Sequence, residues 1–323
     1  MESDHHSDLD FEDGFVLVIG SAGVDIKAQA HAPILARATN HGTVRNNVGG
    51  VARNIAENLA RLEVSTILLS AVGDDDEGDR VLQVTAGVGV NCDFVQRVED
   101  ARTGSYVALM DEDGHPHAAI TDYDIANYID SDYLQQHELL FSTAAMVAID
   151  ATLSEDALDT LFELTTRYGL RVCADPTSPT LAERLKTHIA QLYLVVPNAA
   201  ETISLCGVAI QPDDDNNHTR GMAVARELVK SGADIGVVTL GAEGLVYAHS
   251  NGSGYIRAAQ VEVVDSTGAG DAFSAAVIFG LLNEVSLDEA MRLGANAAAL
   301  TLSTTDTVYA DLSQERLYDT LLV

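Results

Sequence analysis

Positive charge is scarce in this 323-residue chain: 18 lysines and arginines stand against 49 aspartates and glutamates, a formal net charge of −31. A field of that sign repels DNA and anionic membrane surfaces, which argues against a nucleic-acid partner and against a membrane partner. It repels phosphates as well. A nucleotide-handling role therefore predicts that helix termini, a few arginines and Mg2+ reverse the potential locally. Only three lysines occur, Lys27, Lys186 and Lys230, and none follows the G-x-x-x-x-G pattern of a Walker A loop, so P-loop chemistry is excluded. Cysteine is nearly as rare. Cys92, Cys173 and Cys206 lie far apart, match no zinc or redox spacing, and read as reduced core thiols. No apolar run reaches membrane-spanning length, and the opening "MESDHHSDLDFEDG" is acidic and polar, unlike a secretory signal or transit peptide. The expected address is the cytoplasm, with residues 1–13 a disordered acidic tail and 14–323 the folded part.

What is present is alternation. Phe15 to Ile19 reads as a strand; Val51, Ile55, Leu59 and Leu62 form one helical face; Ile67 to Leu69 is the next strand. Leu158, Leu161, Phe162 and Leu164 mark another helix, followed by strands in "RVCAD", "LYLVVPN" and "IGVVTLG". This βαβ order predicts an α/β fold, a mostly parallel sheet with helices on both faces and ligands at the carboxyl ends of the strands. Asp175, Asn198, Thr239 and Asp265 fall at such ends. One stretch breaks the rhythm: Gly104 to Ile120 has two extended arms around Asp-Glu-Asp-Gly, a hairpin signal. With Asp25 to Ala30 it predicts a small separate sheet, from segments about 25–47 and 101–122, either a flap over the cleft or a surface hairpin with no role. Its alternating Tyr106, Ala108 and Met110 are expected to pack on a second subunit, making a homodimer through the flap.

The densest signal is "DSTGAGDAF", Asp265 to Phe273. The β-rich "VEVV", Val261 to Val264, precedes it and an apolar helical pattern follows, so the glycines are expected at a strand-to-helix turn, where unpaired amides and the helix dipole favour an anion. A dinucleotide fingerprint needs a third glycine where Phe273 stands, which demotes hydride transfer. A glycine-rich anion hole with an internal carboxylate remains. In phosphoryl transfer to an alcohol, amides stabilise the moving group while a carboxylate takes the hydroxyl proton. Asp271 is positioned for that second task; its bland alternative is a favourable first-turn charge.

These segments resemble a known family. "DSTGAGDAFSAAVIFGLL" and "GGVARNIAENLARL" (Gly49 to Leu62) are similar to the two signatures of the ribokinase-like, or PfkB, sugar kinases, and "GSAGVD", "PNAAE", "TLGAEG" and "GANAAAL" fall in that family's order. The resemblance implies a three-layer α/β/α sandwich with a small β-sheet lid, and kinase chemistry with ATP and Mg2+. It implies Asp271 as general base, with Gly268, Ala269 and Gly270 giving the anion-hole amides. Asp25, Gly49, Gly50 and Asn54 would bind the ribose of the substrate; Gly49-Gly50 is also readable as a helix-entry turn. Asn198 and Glu201 would hold Mg2+ largely through water, although N-x-x-E equally fits a capped helix start. Thr239, Gly241 and Gly244 would touch ATP, and Asn296 would lie beside the adenine or simply pack in its helix. Asp265 and Thr267 would offer oxygens to a monovalent cation, K+.

Within the family, "GGVARNIAENLARL" and "ITDYDIANYI" look most like the pseudouridine kinases, which act on the 5′-hydroxyl of that nucleoside. Gly23, where that branch often has Asn, and Glu63, where it usually has glycine, depart from the pattern. A kinase of ribose, adenosine or another nucleoside is the alternative. A non-catalytic nucleotide-binding regulator on the same fold is a third reading, which the intact Asp271 and its glycines disfavour.

Overall fold

The computed structural model describes residues 14–114, 116–210 and 217–319; the tail expected at 1–13 lies outside them. The principal sheet is assembled from β1 (Val16–Ile19), β4 (Thr66–Gly73), β5 (Val95–Val98), β8 (Met146–Asp150), β9 (Val172–Asp175), β10 (Leu194–Val195), β11 (Ile235–Thr239), β12 (Leu245–His249) and β13 (Gly252–Ile256). Their order is β13, β12, β11, β10, β9, β8, β1, β4, β5, parallel except for the antiparallel β12 and β13. The longer helices are α1 (Val51–Arg61), α2 (Asp76–Gly87), α3 (Glu155–Tyr168), α4 (Asn217–Lys230), α5 (Ala269–Leu282) and α6 (Leu287–Leu302).

Strand periodicity creates the layers. Val16 and Val18 of β1 join a cluster with Ala52, Ile55 and Leu59 of α1 and Phe273 and Val277 of α5. Their neighbours Leu17 and Ile19 point the other way, among Leu158, Leu161 and Phe162 of α3 and Val224 and Leu228 of α4. Each fully buried side chain of this kind contributes roughly 1.5–3 kcal/mol relative to exposure. Two apolar layers around one sheet make the expected α/β/α sandwich.

The chain leaves β1 toward β4 on one side and later places β8 on the other, a reversal that opens a crevice at the carboxyl ends of β1 and β8. A buried carboxylate fixes this crevice. Asp150, closing β8, accepts from the Ser21 amide at 2.8 Å, the Ser21 hydroxyl at 2.6 Å and the Ala52 amide at 3.1 Å. Gly50, the residue before α1, offers no side chain to cap it, so Asp150 satisfies the helix terminus from 98 residues away and complements its dipole. The start of α1 is thereby pinned to the crevice.

A second sheet stands apart, ordered β3 (Gly42–Gly49), β2 (Gly23–Ala30), β6 (Gly104–Met110), β7 (Pro116–Asp122), with β2 and β6 parallel and the outer pairs antiparallel. This is the expected flap, but its faces are the reverse of those expected. Asp25 is in register with Tyr106, and Lys27 with Ala108, so Tyr106, Ala108 and Met110 share the face of Asp25 and Lys27. The opposite face carries Ile26, Val107 and Ile120 in one row, with Val44 one pair further along. Val44, Val107 and Ile120 are exposed, at 67%, 42% and 73%.

The "VEVV" expectation is also corrected. Val261–Val264 is not a strand: the sheet ends at β13, the chain leaves it at Arg257, and Val263 and Val264 are exposed. β-propensity has no effect without a neighbouring strand to pair with. The segment is tied instead to the end of α6, where Leu302 carbonyl accepts from the Val264 amide at 2.8 Å. Asp265 is therefore a loop residue, not a strand end.

Candidate active site

The turn expected to form the anion hole is built around Gly268. It precedes α5 with φ of 81°, in the left-handed region, and a Cβ there would lie 1.8 Å from the Thr307 carbonyl oxygen. Only glycine meets both conditions. At Gly270 the surroundings are open, so its lack of a side chain leaves room above the helix terminus. Among the described residues no protein acceptor takes the Gly268 or Gly270 amide, and the Ala269 amide makes only a 3.4 Å contact with the Ser266 carbonyl. Unpaired amides at the positive end of a helix dipole form an anion site.

Asp271 lies in the first turn of α5, 8% exposed, and its Oδ2 accepts from Asn54 Nδ2 at 2.8 Å. Burial pushes its pKa well above the usual carboxylate range, reinforced by Asp175, Asp25 and Asp150 and opposed by the Asn54 hydrogen bond. Asn54 is itself held: its Oδ1 accepts from the Arg53 guanidinium at 3.0 Å, which leaves its amide nitrogen facing Asp271. Arg53 is buried, ion-paired with Glu57 and hydrogen-bonded to Thr85 at 3.0 Å. The line Glu57, Arg53, Asn54, Asp271 runs from α1 to α5. Asn54, expected on the substrate, is hydrogen-bonded to Asp271 in this structure.

Facing this turn is the lid. Asp25 is 6% exposed, and among the described residues no group donates a hydrogen bond to its carboxylate. Burial pushes its pKa up to about 6, against the nearby cations Lys27 and Arg53 and with the help of Asp265. A Cβ at Gly49 would lie 2.4 Å from Asp25 Oδ1, so the carboxylate rests directly on bare backbone; Gly50 follows with φ of 97° at the entry to α1. Beside them the Tyr123 ring fills the space around Gly23 and Gly104, where added Cβ atoms would meet it at 2.9 and 2.5 Å. An Asn side chain has no place at position 23, where an added Cβ would also lie 2.2 Å from the Gly104 carbonyl oxygen. The Tyr123 hydroxyl is buried with no partner among the described residues, near Asp25, Asp150 and Asp271, and its pKa is raised well above the ordinary value chiefly by burial, so it remains a protonated donor.

Asn198 and Glu201 do come together, in the capped form. Glu201 accepts from the Asn198 amide at 2.9 Å and from Asn198 Nδ2 at 2.7 Å, while Asn198 Oδ1 accepts from the amides of Ala200 and Glu201. Burial, then the charge of Asp175, pushes Glu201 up to about 8; burial and Asp150 push Asp175 up to about 7. Among the described residues no three His, Cys, Asp or Glu side chains are disposed to grip a metal directly. The donor set suits Mg2+ held through water: oxygen only, sparse, and carrying mutual repulsion that a divalent cation relieves. The monovalent-cation pair does not fit its ion. Lys27 Nζ already donates to Asp265 Oδ1 at 2.7 Å, Asp265 Oδ2 at 2.5 Å and Thr267 Oγ1 at 2.5 Å.

Next to Gly270 opens a cavity of about 460 Å3 with a largely apolar lining, including Thr239, Gly241, Gly244, Ala298 and Ala299. Asn296, expected beside an adenine, is not in that lining; its Nδ2 is directed to the Leu317 carbonyl at 3.4 Å. Alanines at 295, 298 and 299 present the cavity face of α6 instead. The residues that sequence reasoning left out of the site are Lys27, Arg53, Tyr123 and Asp150, whereas Asp175 was expected at a strand end of the cleft. Signals existed for some: Lys27 is two residues from Asp25 on a strand, hence on its face, and Arg53 interrupts an apolar helical pattern beside Asn54.

The pfkB family carbohydrate kinase pattern matches residues 13–314. The chain belongs to this family. Membership makes it a phosphotransferase acting on an alcohol group. It is 32% identical to the pseudouridine kinase of Escherichia coli over 94% of this chain and 95% of that one. It is 34% identical to the guanosine-inosine kinase of Exiguobacterium acetylicum over 90% and 95% of the two chains. Its fold matches the Arabidopsis thaliana ribokinase, solved with ribose and ATP, at a TM-score of 0.82 and 22% identity over 96% of this chain and 99% of that one. Among the described residues no helix is long and apolar enough to cross a membrane.

Proposed function

We propose that this kinase transfers the γ-phosphoryl group of ATP to the 5′-hydroxyl of a ribose-containing nucleoside, with pseudouridine the first choice, in the cytoplasm. One observation carries the reading: the buried carboxylate of Asp271 stands in the first turn of a helix where, among the described residues, the Gly268 and Gly270 amides are unpaired. Ionised Asp271 takes the hydroxyl proton. The hydroxyl oxygen then bonds to the γ-phosphorus as the bond to the departing diphosphate oxygen breaks, and the amides of Gly268, Ala269 and Gly270 donate hydrogen bonds to the charged oxygens of the moving group. Mg2+, when bound, neutralises the triphosphate; Asn198 and Glu201, with Asp175 behind them, are the residues to hold it through water.

The apolar cavity suits a purine ring, and Thr239, Gly241 and Gly244 on its rim suit ATP. Asp25 is assigned to the ribose hydroxyls, with Tyr123 as the donor beside it. A buried hydroxyl without a partner costs roughly 1–3 kcal/mol, a cost that a polar ligand removes. Pseudouridine is favoured by the E. coli relative and by the pattern of the first signature. The second reading, guanosine or inosine, is favoured by the Exiguobacterium relative. The lid's outer apolar face, Val44, Val107 and Ile120, is assigned to a homodimer contact.

The test is ATP-dependent phosphorylation of pseudouridine, uridine, guanosine, inosine, adenosine, ribose and fructose 6-phosphate. Preference for pseudouridine supports the first reading, preference for guanosine or inosine the second. Absence of turnover with every acceptor would leave a nucleotide-binding protein without kinase activity.

A further inference from the structure

We propose that Lys27 is a tethered monovalent cation: its ammonium takes the place of an alkali ion between Asp265 and Thr267, and clamps the lid onto the anion-hole turn. An ammonium has three N–H donors, and here three oxygens receive them, at 2.7, 2.5 and 2.5 Å. The side chains of Lys27 and Asp265 are 10% and 16% exposed, so water competes little for these bonds. An alkali ion bound by the same oxygens would have to displace a group of equal charge that the chain holds permanently in place. That exchange has no evident driving force.

The clamp has mechanical consequences. Thr267 directly precedes Gly268, and Asp265 Oδ1 also accepts from the Thr267 amide at 2.9 Å, so the ammonium fixes the approach to the anion hole. Lys27 lies 238 residues away from Asp265 in sequence, on β2, two residues from Asp25 and on the same face of the lid. One side chain therefore registers the lid's acceptor-facing carboxylate against the amides that receive the phosphoryl group. Lys27 is a positioning residue in this account: it touches neither reacting group. The assignment of acceptor and anion hole rests on the function proposed above, whereas the occupied cation site does not.

Two readouts separate the inferences. Thermal melting of the wild-type protein in Na+, K+, Li+ or tetramethylammonium chloride at fixed ionic strength is expected to be the same in all four, whether or not any acceptor is found. With a working acceptor, kcat is expected to vary by less than about twofold across these salts. Lys27→Ala is expected to lose roughly 10- to 100-fold in kcat/KM, the range for removing charge-assisted hydrogen bonds from a preorganised site. Part of that loss is expected to return saturably with K+, NH4+ or methylammonium, accompanied by a rise in melting temperature. Lys27→Arg, which keeps the charge, is expected to stay indifferent to the salt even if slower. A wild-type enzyme activated or stabilised saturably by K+ would overturn the proposal, as would a Lys27→Ala protein that folds, works at the wild-type rate and ignores every cation. If Lys27→Ala does not fold, the wild-type and Lys27→Arg salt series still decide.

Discussion

Replacing Asn54 by leucine tests how the base is set. Asn54 Nδ2 makes the one hydrogen bond to the Asp271 carboxylate among the described residues, at 2.8 Å, and Arg53 keeps the amide turned that way. Leucine fills the space and keeps water from standing in for the amide. A hydrogen bond to a charged group contributes roughly 1.5–3 kcal/mol, and it stabilises only the ionised form strongly. At about 1.4 kcal/mol per pKa unit, its loss raises Asp271 by roughly 1–2 units above a value that burial has already lifted. The direction follows from linkage: a base with a raised pKa is protonated, and idle, over more of the acidic range. The acidic limb of kcat/KM against pH is therefore expected to move up by roughly 1–2 units. At a pH below both values the rate falls about 10- to 100-fold, and at high pH it recovers toward wild type. The assay is a pH–rate profile for both proteins with the best acceptor. A uniform rate loss with an unmoved acidic limb would refute the assignment and return Asn54 to the substrate.

Tyr123→Phe removes the hydroxyl that finds no partner among the described residues; it is expected to raise the acceptor KM roughly 5- to 10-fold, the weight of one neutral hydrogen bond, with the ATP KM unchanged, in steady-state kinetics. The pKa values of Asp175 and Glu201 are raised to about 7 and about 8, above those of the unfolded chain. The native state thus binds more protons between the ordinary carboxylate range and those values, so stability falls as pH rises through that window. Melting of the protein alone should decline from about pH 5 to 8.5, and MgATP should offset more of the loss at the alkaline end; a melting temperature that climbs with pH across this range would contradict the buried-carboxylate account. Val107→Glu with Ile120→Lys, on the exposed lid face, is expected to convert a dimer into a monomer by light scattering, and a wild-type monomer would remove that proposal.

The sequence made the layered fold readable because both periodicities were strong: alternate residues of β1 face opposite cores, and Ile55 and Leu59 recur on one side of α1. The glycine turn at the start of α5 was readable because Gly268, Gly270 and Asp271 sit within four residues, and local spacing determines local geometry. What failed depends on long-range pairing. Val261–Val264 has strand composition but no strand beside it, and the flap's faces follow from the register of β2 against β6, which alternation alone leaves undetermined. The resemblance implies Asn296 beside the adenine or packed in its helix; a helix turns consecutive residues about 100° apart, and Ala295 lines the cavity while Asn296 does not. The Lys27 clamp joins residues 238 apart, and although the spacing to Asp25 puts Lys27 on that face of the flap, nothing local points to its partner Asp265. Glu63 is the opposite case: its departure from glycine was visible, and the structure gives it φ of 63°, the left-handed conformation that glycine adopts freely.

The account rests on Asp271 as the group that receives the acceptor's proton. Asp271→Asn keeps the shape and the open amides while removing the base, so ATP affinity by calorimetry is expected to stay within about threefold while phosphoryl transfer falls by roughly 100- to 10,000-fold. Undiminished transfer by the Asp271→Asn variant, or loss of its ATP binding with turnover retained at saturating nucleotide, would contradict it.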